Sequence, residues 1–389
     1  MELHLPPMFI VLVAAVVAPL VGEFTSKFGL SVVVLELLLG VIIGPHALGW
    51  ATPTHAVPYL AQFGMGFLFF LAGTEIDLLA IREQLRSALV GWLLGFGIAL
   101  LAALGMQALG LIQAWQVVAI AIATTALGVL VPIIRDHGLL DKPLGQHILA
   151  AGALGELAPI IVMSVLLSRR HTAPVQTAFT ALFLVLMVII GWAAVQGRTP
   201  PVIRVLSRTL HQSSQLPIRI VVVLLVGLAV LADAFGLDLA LGALAAGMII
   251  GAAARDSADK DVLHLKLDAV GYGLLVPVFF ITSGMKLDIA ALFSGTSGIA
   301  LAGAFLVAVL VSRLPLVGLN LRVLGPKLSC TLGLFSATTL SLIVALTEIA
   351  MSHGLMTPAE TAPLVAAGML TVILLPALGL RLAREPNAD

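Results

Sequence analysis

Glu156 is the residue of this sequence best placed to do chemistry. It stands inside the apolar run 146–168, in Ala150-Ala-Gly-Ala-Leu-Gly-Glu156-Leu-Ala-Pro159, with small residues before it and a proline after it. The proline frees a backbone carbonyl nearby. A carboxyl in such surroundings has two tolerable states: neutral and protonated, or ionised and holding a cation. Alternation between them is the elementary step of trading a proton for a cation. The plain structural reading is a protonated glutamate hydrogen-bonded within a helix bundle.

Other polar residues sit where they could complete such a site. Thr124 and Thr125 lie midway along one apolar run, and Thr338 and Thr339 midway along another, with Ser336 and Ser341 close by. Threonine in a membrane helix ordinarily packs, but hydroxyls also satisfy backbone groups where a helix breaks or supply oxygens to a small cation. Two pairs in equivalent positions suggest paired discontinuous helices. Arg313, in the run 297–318, has two readings. Its long stem can snorkel to the interface, or it is a fixed positive charge that pairs with Glu156 when the cation is absent. Glu36 falls within the run 28–48, lining a vestibule or paired inside the bundle. Glu75, Asp77, Asp233 and Glu348 lie near run ends and read as solvated helix termini. The histidines form no i, i+4 pair, which argues against a metal site. His137 and His147 flank a loop, either as pH sensors or as ordinary solvated side chains.

These residues belong to a chain of 389, of which 60% are hydrophobic and only 10% charged. About 25% is charged in an ordinary soluble domain. This balance excludes a soluble enzyme, a disordered segment and a nucleic-acid binder. Twenty basic and twenty acidic residues cancel, so no net field draws an acidic partner. The single cysteine, Cys330, excludes a disulfide framework. Long unbroken apolar runs, instead of short alternating strands, give an all-α polytopic membrane protein embedded in lipid, with no cofactor implied.

Thirteen runs are long enough to span a bilayer: 7–23, 28–48, 57–77, 87–109, 115–134, 146–168, 174–195, 217–234, 236–253, 267–285, 297–318, 328–351 and 362–380. The residues before the first, Met1-Glu2-Leu3-His4, have no basic stretch, so it is not expected to be a signal peptide. The N-terminal side and the loops after even-numbered spans hold only Arg169, Arg170 and Lys286. Apart from Arg313, the other basic residues follow odd-numbered spans or lie in the tail; Lys27, Arg82, Arg135, Lys142, Arg255, Lys260 and Arg381 are examples. The positive-inside rule then puts the N-terminus outside and the C-terminus in the cytoplasm. A loop at 196–216, punctuated by Pro200 and Pro201 and carrying Arg198, Arg204, Arg208 and His211, reads as a cytoplasmic connector between residues 1–195 and 217–389. With few residues after the last span, no soluble regulatory domain is expected.

The two halves resemble each other. Glu36-Leu-Leu-Leu-Gly-Val-Ile-Ile-Gly44 has its counterpart in Asp238-Leu-Ala-Leu-Gly-Ala-Leu-Ala-Ala-Gly247. Phe69-Phe-Leu-Ala-Gly-Thr-Glu-Ile-Asp77 corresponds to Phe279-Phe-Ile-Thr-Ser-Gly-Met-Lys-Leu-Asp288, and Ala123-Thr-Thr125 to Ala337-Thr-Thr339. Each match links spans seven apart, an odd interval, so the repeats cross the membrane in opposite directions. Two inverted six-helix repeats joined by a linking span are a transporter signature.

These residues also carry a family resemblance. Leu35-Glu-Leu-Leu-Leu-Gly-Val-Ile-Ile-Gly-Pro-His-Ala-Leu-Gly49 resembles the LGE-x-x-x-G-x-x-x-GP-x-x-LG signature of the monovalent cation:proton antiporters, in the branch of Kef-type potassium/proton and NapA-type sodium/proton exchangers. Phe69–Asp77 resembles its FLAGLEID segment, and Pro277-Val-Phe-Phe-Ile-Thr-Ser-Gly-Met-Lys-Leu-Asp288 its PVFF-x-x-x-GM-x-x-D segment. The resemblance implies an NhaA-like antiporter fold of thirteen spans, elevator-like transport and a homodimer in a bacterial inner membrane. Spans 5 and 12, with the threonine pairs, would be crossing broken helices; span 6 would carry the ion-binding carboxylate; Arg313 matches the basic residue of the eleventh span. Two departures stand out. The family's span 6 usually has Asp-Asp, Asn-Asp or Gln-Asp where this chain has Gly155-Glu156, so Arg313 lacks its usual polar partner at 155. Related proteins often carry Gly-Glu at Thr339-Leu340.

The expected function is therefore secondary antiport of Na+ or K+ against H+, with no enzymatic step. One carboxylate carrying either ion implies electroneutral one-for-one exchange. The alternatives are a carrier of the same fold for an organic or anionic solute, held by Arg313, and a transport-inactive membrane partner protein.

Overall fold

The computed structural model describes residues 6–25, 31–54, 56–76, 81–140, 142–166, 215–254, 259–288 and 296–383, with scattered positions between 175 and 189. The seventh expected span, the connector at 196–216 and Asp77 fall largely or wholly outside them. All regular structure among the described residues is helical. In the first half lie α1 (Pro7–Thr25), α2 (Val32–Ile43), α3 (Ala56–Glu75), α4 (Arg82–Ala108), α5 (Trp115–Ile122), α6 (Leu127–Asp136) and α7 (Pro143–Leu166). The second half has α8 (Leu216–Ala234), α9 (Leu239–Ala254), α10 (Lys260–Val270), α11 (Val276–Lys286), α12 (Thr296–Ser312), α13 (Leu314–Ser336), α14 (Ser341–Ser352) and α15 (Pro358–Ala383). A π-helical turn, Gly271–Leu275, joins α10 to α11.

Among the described residues, eight helical stretches are long and apolar enough to cross a membrane, and three shorter apolar ones accompany them. One of the eight, Gly298–Ser352, runs for 55 residues. At 1.5 Å per residue, roughly 20 residues cross a bilayer, so this stretch exceeds one crossing. It is not one straight rod. α12 ends at Ser312 and the chain turns at Arg313, where an unbroken span over 297–318 was expected. Pro315, in the first turn of α13, cannot continue a preceding helix but suits a new one. Within α13, Gly325 has φ 75° and ψ 170°, followed by Pro326. The left-handed φ is open to glycine at low cost, and it falls between the apolar runs 297–318 and 328–351.

The chain forms two compact units. One comprises Met1–Pro58, Leu78–Pro159 and Phe280–Asp389, the other Tyr59–Asp77 and Ile160–Phe279. In the second unit, α9 packs on α8 and, through Gly73 and Gly247, on α3. In the first, α4 lies along α5, α12 and α13, and α15 packs on α12, α13 and α14. Its apolar core includes Leu130 and Ile134 of α6, Leu144 and Ile148 of α7, and Leu316, Leu332 and Phe335 of α13. Large apolar side chains face outward as well, among them Phe9, Val16, Leu20 and Phe24 along α1, a surface suited to lipid instead of water. The buried charged side chains among the described residues are four: Glu36, Glu156, Arg313 and Glu360. All belong to the first unit.

Candidate ion-exchange site at two helix breaks

The site begins with two interruptions. Helix α5 stops at Ile122 and α6 starts at Leu127; α13 stops at Ser336 and α14 starts at Ser341. Neither gap, Ala123–Ala126 or Ala337–Leu340, contains glycine or proline, so the breaks are not imposed by backbone type. They are held by hydrogen bonds that replace the helical ones. The Thr124 hydroxyl donates back to Ala121 O at 2.7 Å, filling the role of an amide. Three successive amides at the start of α6 go to three different partners. Thr125 N donates to Gly155 O at 2.9 Å and Ala126 N to Thr338 O at 2.9 Å. Leu127 N donates to Glu156 Oε1 at 2.9 Å.

The two breaks touch. The Thr124 and Thr339 hydroxyls are hydrogen-bonded to each other, and Thr125 Oγ1 donates to Ser336 O at 2.7 Å. The Ser336 and Thr338 hydroxyls turn back onto Leu332 O and Leu334 O, at 2.7 and 3.3 Å. Thr371 of α15 holds the far side: its hydroxyl accepts from Thr339 N at 3.0 Å and lies 2.8 Å from Thr339 O. Every threonine of the two pairs is almost wholly buried.

Charge is placed to match the helix ends. An α-helix carries partial positive charge at its N-terminus and partial negative charge at its C-terminus. Glu156, 3% exposed on α7, sets its carboxyl on the first amide of α6. Arg313, 5% exposed at the α12–α13 turn, sets its guanidinium on the last carbonyl of α5 and the first two of the break. Its Nη2 donates to Ile122 O at 3.0 Å and Thr124 O at 2.5 Å, and its Nη1 reaches Ala123 O at 3.5 Å. This differs from both sequence readings. Arg313 does not snorkel, and its hydrogen bonds go to main-chain carbonyls instead of to Glu156. The physical reason is that the open end of α5 already presents converging negative dipoles, a better match for a planar five-donor fork than a single carboxyl.

Trp92 completes the carbonyl set, its indole Nε1 donating to Ala123 O at 3.1 Å while its ring stacks on Phe96. Sequence reasoning passed over it. The available signal was Gly91-Trp-Leu-Leu-Gly95, a small-xxx-small pattern. A Cβ on Gly95 would strike Ser312 O, and one on Gly91 would strike Leu316. These two glycines let α4 lie against the turn that carries Arg313. Gly155 is likewise a close approach: a Cβ there would collide with the side chain of Thr125. The missing side chain at 155 makes room for the threonine of the break.

Glu360 was also missed, although Thr357-Pro-Ala-Glu360 is a legible capping box. Its carboxylate is buried and meets the start of α5. Glu36 is buried on α2, and among the described residues no hydrogen bond ties it to the cluster at the breaks. Glu348, read as a solvated terminus, forms an ion pair with Lys286. His137 is exposed and His147 half-buried, and each bonds to a carbonyl one turn back. Among the described residues no three metal-ligating side chains come together.

The chain is similar to known proteins in fold and in sequence. The structure aligns with that of the sodium proton antiporter MjNhaP1 from Methanocaldococcus jannaschii at TM-score 0.70 and 17% identity, covering 97% of this chain and 99% of that one. That likeness shows the fold alone. The Na+/H+ antiporter of Enterococcus hirae is 27% identical over 296 residues, covering 72% of this chain and 73% of its own. The protein YjbQ of Bacillus subtilis is 26% identical over 356 residues, 87% of this chain but 57% of that longer relative. Residues 12–381 match the family described as sodium/hydrogen exchanger, transmembrane. The resemblance read from the sequence motifs and this match coincide, and the chain belongs to the sodium/hydrogen exchanger family of integral membrane proteins.

Proposed function

We propose that this protein exchanges Na+ or K+ for H+, one for one and without net charge movement, with Glu156 carrying each ion in turn. One observation carries the reading. Glu156 is a buried carboxyl at the amide end of a half-helix, while Arg313, the other buried charge hydrogen-bonded at the breaks among the described residues, is already engaged by carbonyls. Glu156 can therefore pass between its protonated and cation-bound forms without stranding the guanidinium. Both forms carry the same charge, which is the condition for electroneutral exchange. The threonine oxygens around the breaks supply additional ligands for a cation released from water.

The wider proposal follows the family. The two interrupted segments act as crossing helices of two inverted repeats within thirteen spans. An elevator-like movement of the part bearing them exposes Glu156 to alternate sides. The protein works as a homodimer in a bacterial inner membrane, N-terminus outside and C-terminus cytoplasmic. A carrier for an organic or anionic solute held by Arg313 is the weaker reading, because that guanidinium is committed to the α5 carbonyls.

The test is proton flux in proteoliposomes containing a pH dye, with Na+, K+ and Li+ added in turn. One cation should drive proton movement in the wild type, and Glu156→Gln should abolish it. Collapsing the membrane potential with an ionophore should leave the rate unchanged. Absence of flux with every cation, in folded protein, would overturn the reading; a potential-dependent rate would overturn the stoichiometry.

A further inference from the structure

Among the described residues, Glu360 is the one buried charge of the first unit, apart from Glu36, that the exchange reaction above does not use. It lies in the first turn of α15, 6% exposed. Its two oxygens divide their work. Oε2 accepts from Thr357 N at 3.1 Å and Thr357 Oγ1 at 2.9 Å, closing the N-terminus of its own helix. Oε1 accepts from Gln113 N and from Ala114 N, the latter at 3.2 Å, at the entrance to α5. These two residues are far away in sequence, separated from Glu360 by 247 and 246 positions. Of these bonds, a capping box needs only the one from Thr357 N. The second pair places the same carboxylate on another helix.

The consequence concerns α5. This helix has eight residues, a length of about 12 Å. Its amide end rests on a fixed negative charge, Glu360, and its carbonyl end on a fixed positive charge, Arg313. Both charges favour the dipole of the helix between them. The break begins at the next residue, Ala123, and within four more reaches Leu127, whose amide donates to Glu156. An axial slip of α5 would carry its carbonyls away from Arg313 and shift the amide that meets Glu156.

We propose that Glu360 is a positioning residue of the exchange site. It locks α5 in register from its far end, so that the carbonyls at 122–124 hold Arg313 and the amide at 127 meets Glu156. This inference rests on the reading of Glu156 as the ion carrier. The competing role is a local cap of α15 and nothing more.

Two variants of the full chain separate the two roles. Glu360→Gln removes the charge from both helices. Thr357→Ala removes the hydroxyl bond at α15 but keeps the carboxylate and its bonds to α5. In proteoliposomes, Glu360→Gln should raise the apparent KM for the driving cation about tenfold, with a smaller loss in maximal rate. Thr357→Ala should leave KM within about twofold, and Glu360→Asp, a charge on a shorter arm, should fall between, at about threefold. Amide hydrogen exchange supplies a readout independent of transport. Glu360→Gln should speed exchange at residues 113–115 and also at 125–127, a helix length away; Thr357→Ala should speed only residues 357–361. Unchanged protection at 125–127 together with an unchanged KM would overturn the proposal and leave Glu360 as a cap. Should Glu360→Gln not fold, Glu360→Asp decides by the same two readouts. If the wild type shows no cation-driven flux, the antiporter reading fails by itself, and hydrogen exchange at 125–127 still decides the coupling.

Discussion

Arg313 and Glu156 lie near the same break, and the geometry makes a sharp distinction between a carbonyl-bound arginine and an arginine paired with the carboxyl. The perturbation is Arg313→Met, made in the wild type and again in Glu156→Gln. Methionine keeps the length of the stem and removes every donor. Ala123 O keeps its bond from Trp92, while Ile122 O and Thr124 O lose the guanidinium that now serves them. Two stranded buried acceptors at about 1–3 kcal/mol each put the loss near 4 kcal/mol. Glu156→Gln alone should cost less than about 1 kcal/mol, because an amide oxygen still accepts from Leu127 N. In the double variant, the loss from Arg313→Met should persist almost in full. An Arg313–Glu156 pair predicts the opposite. With the carboxylate gone, the arginine would already be an uncompensated buried charge, and removing it would be neutral or stabilising. The assay is thermal unfolding of the purified protein in detergent, followed by the surviving monodisperse fraction on size exclusion. If more than half of the Arg313→Met penalty disappears in the Glu156→Gln background, the carbonyl-capping argument is wrong.

Gly155→Ala should lower both stability and exchange, by about 1–3 kcal/mol in stability, because the new methyl meets Thr125. Thr125→Ala should not relieve it, since the Thr125 Cβ itself would lie 2.5 Å from the added carbon; relief measured in the double variant would contradict the packing. Trp92→Phe removes the indole donor but keeps a ring to stack on Phe96, so a loss of about 1 kcal/mol is expected in the same unfolding assay. A loss as large as that of Arg313→Met would mean that Trp92 holds the carbonyl end as strongly as Arg313 does.

The motif resemblance in the sequence and the family match lead to one family, and the reason is physical as much as statistical. Sixty per cent hydrophobic residues in long runs leave a backbone no choice but helix in a bilayer. Glu156 was legible for the same reason: a charge inside an apolar run is costly wherever its neighbours fall. The threonine pairs were legible as unusual hydroxyls, and they stand where the helices stop. Helix ends set by single residues were harder to place. The stop at Ser312 comes with Pro315 just beyond it, a local break that the apolar pattern ran straight through.

What composition and periodicity determine is local: which segments are helical, which are buried in lipid, and which residue carries an expensive charge. What the tertiary structure alone decides is which backbone group each polar side chain satisfies. Arg313 meets carbonyls about 190 residues away, Trp92 one that is 31 away, and Glu360 amides 246 and 247 away. No spacing rule connects such positions. Gly155 shows the limit most clearly, because in sequence it is only a missing polar side chain. In the fold, the absent Cβ is the space that Thr125 occupies, and whether a gap is a loss or a fit depends on the neighbour that fills it.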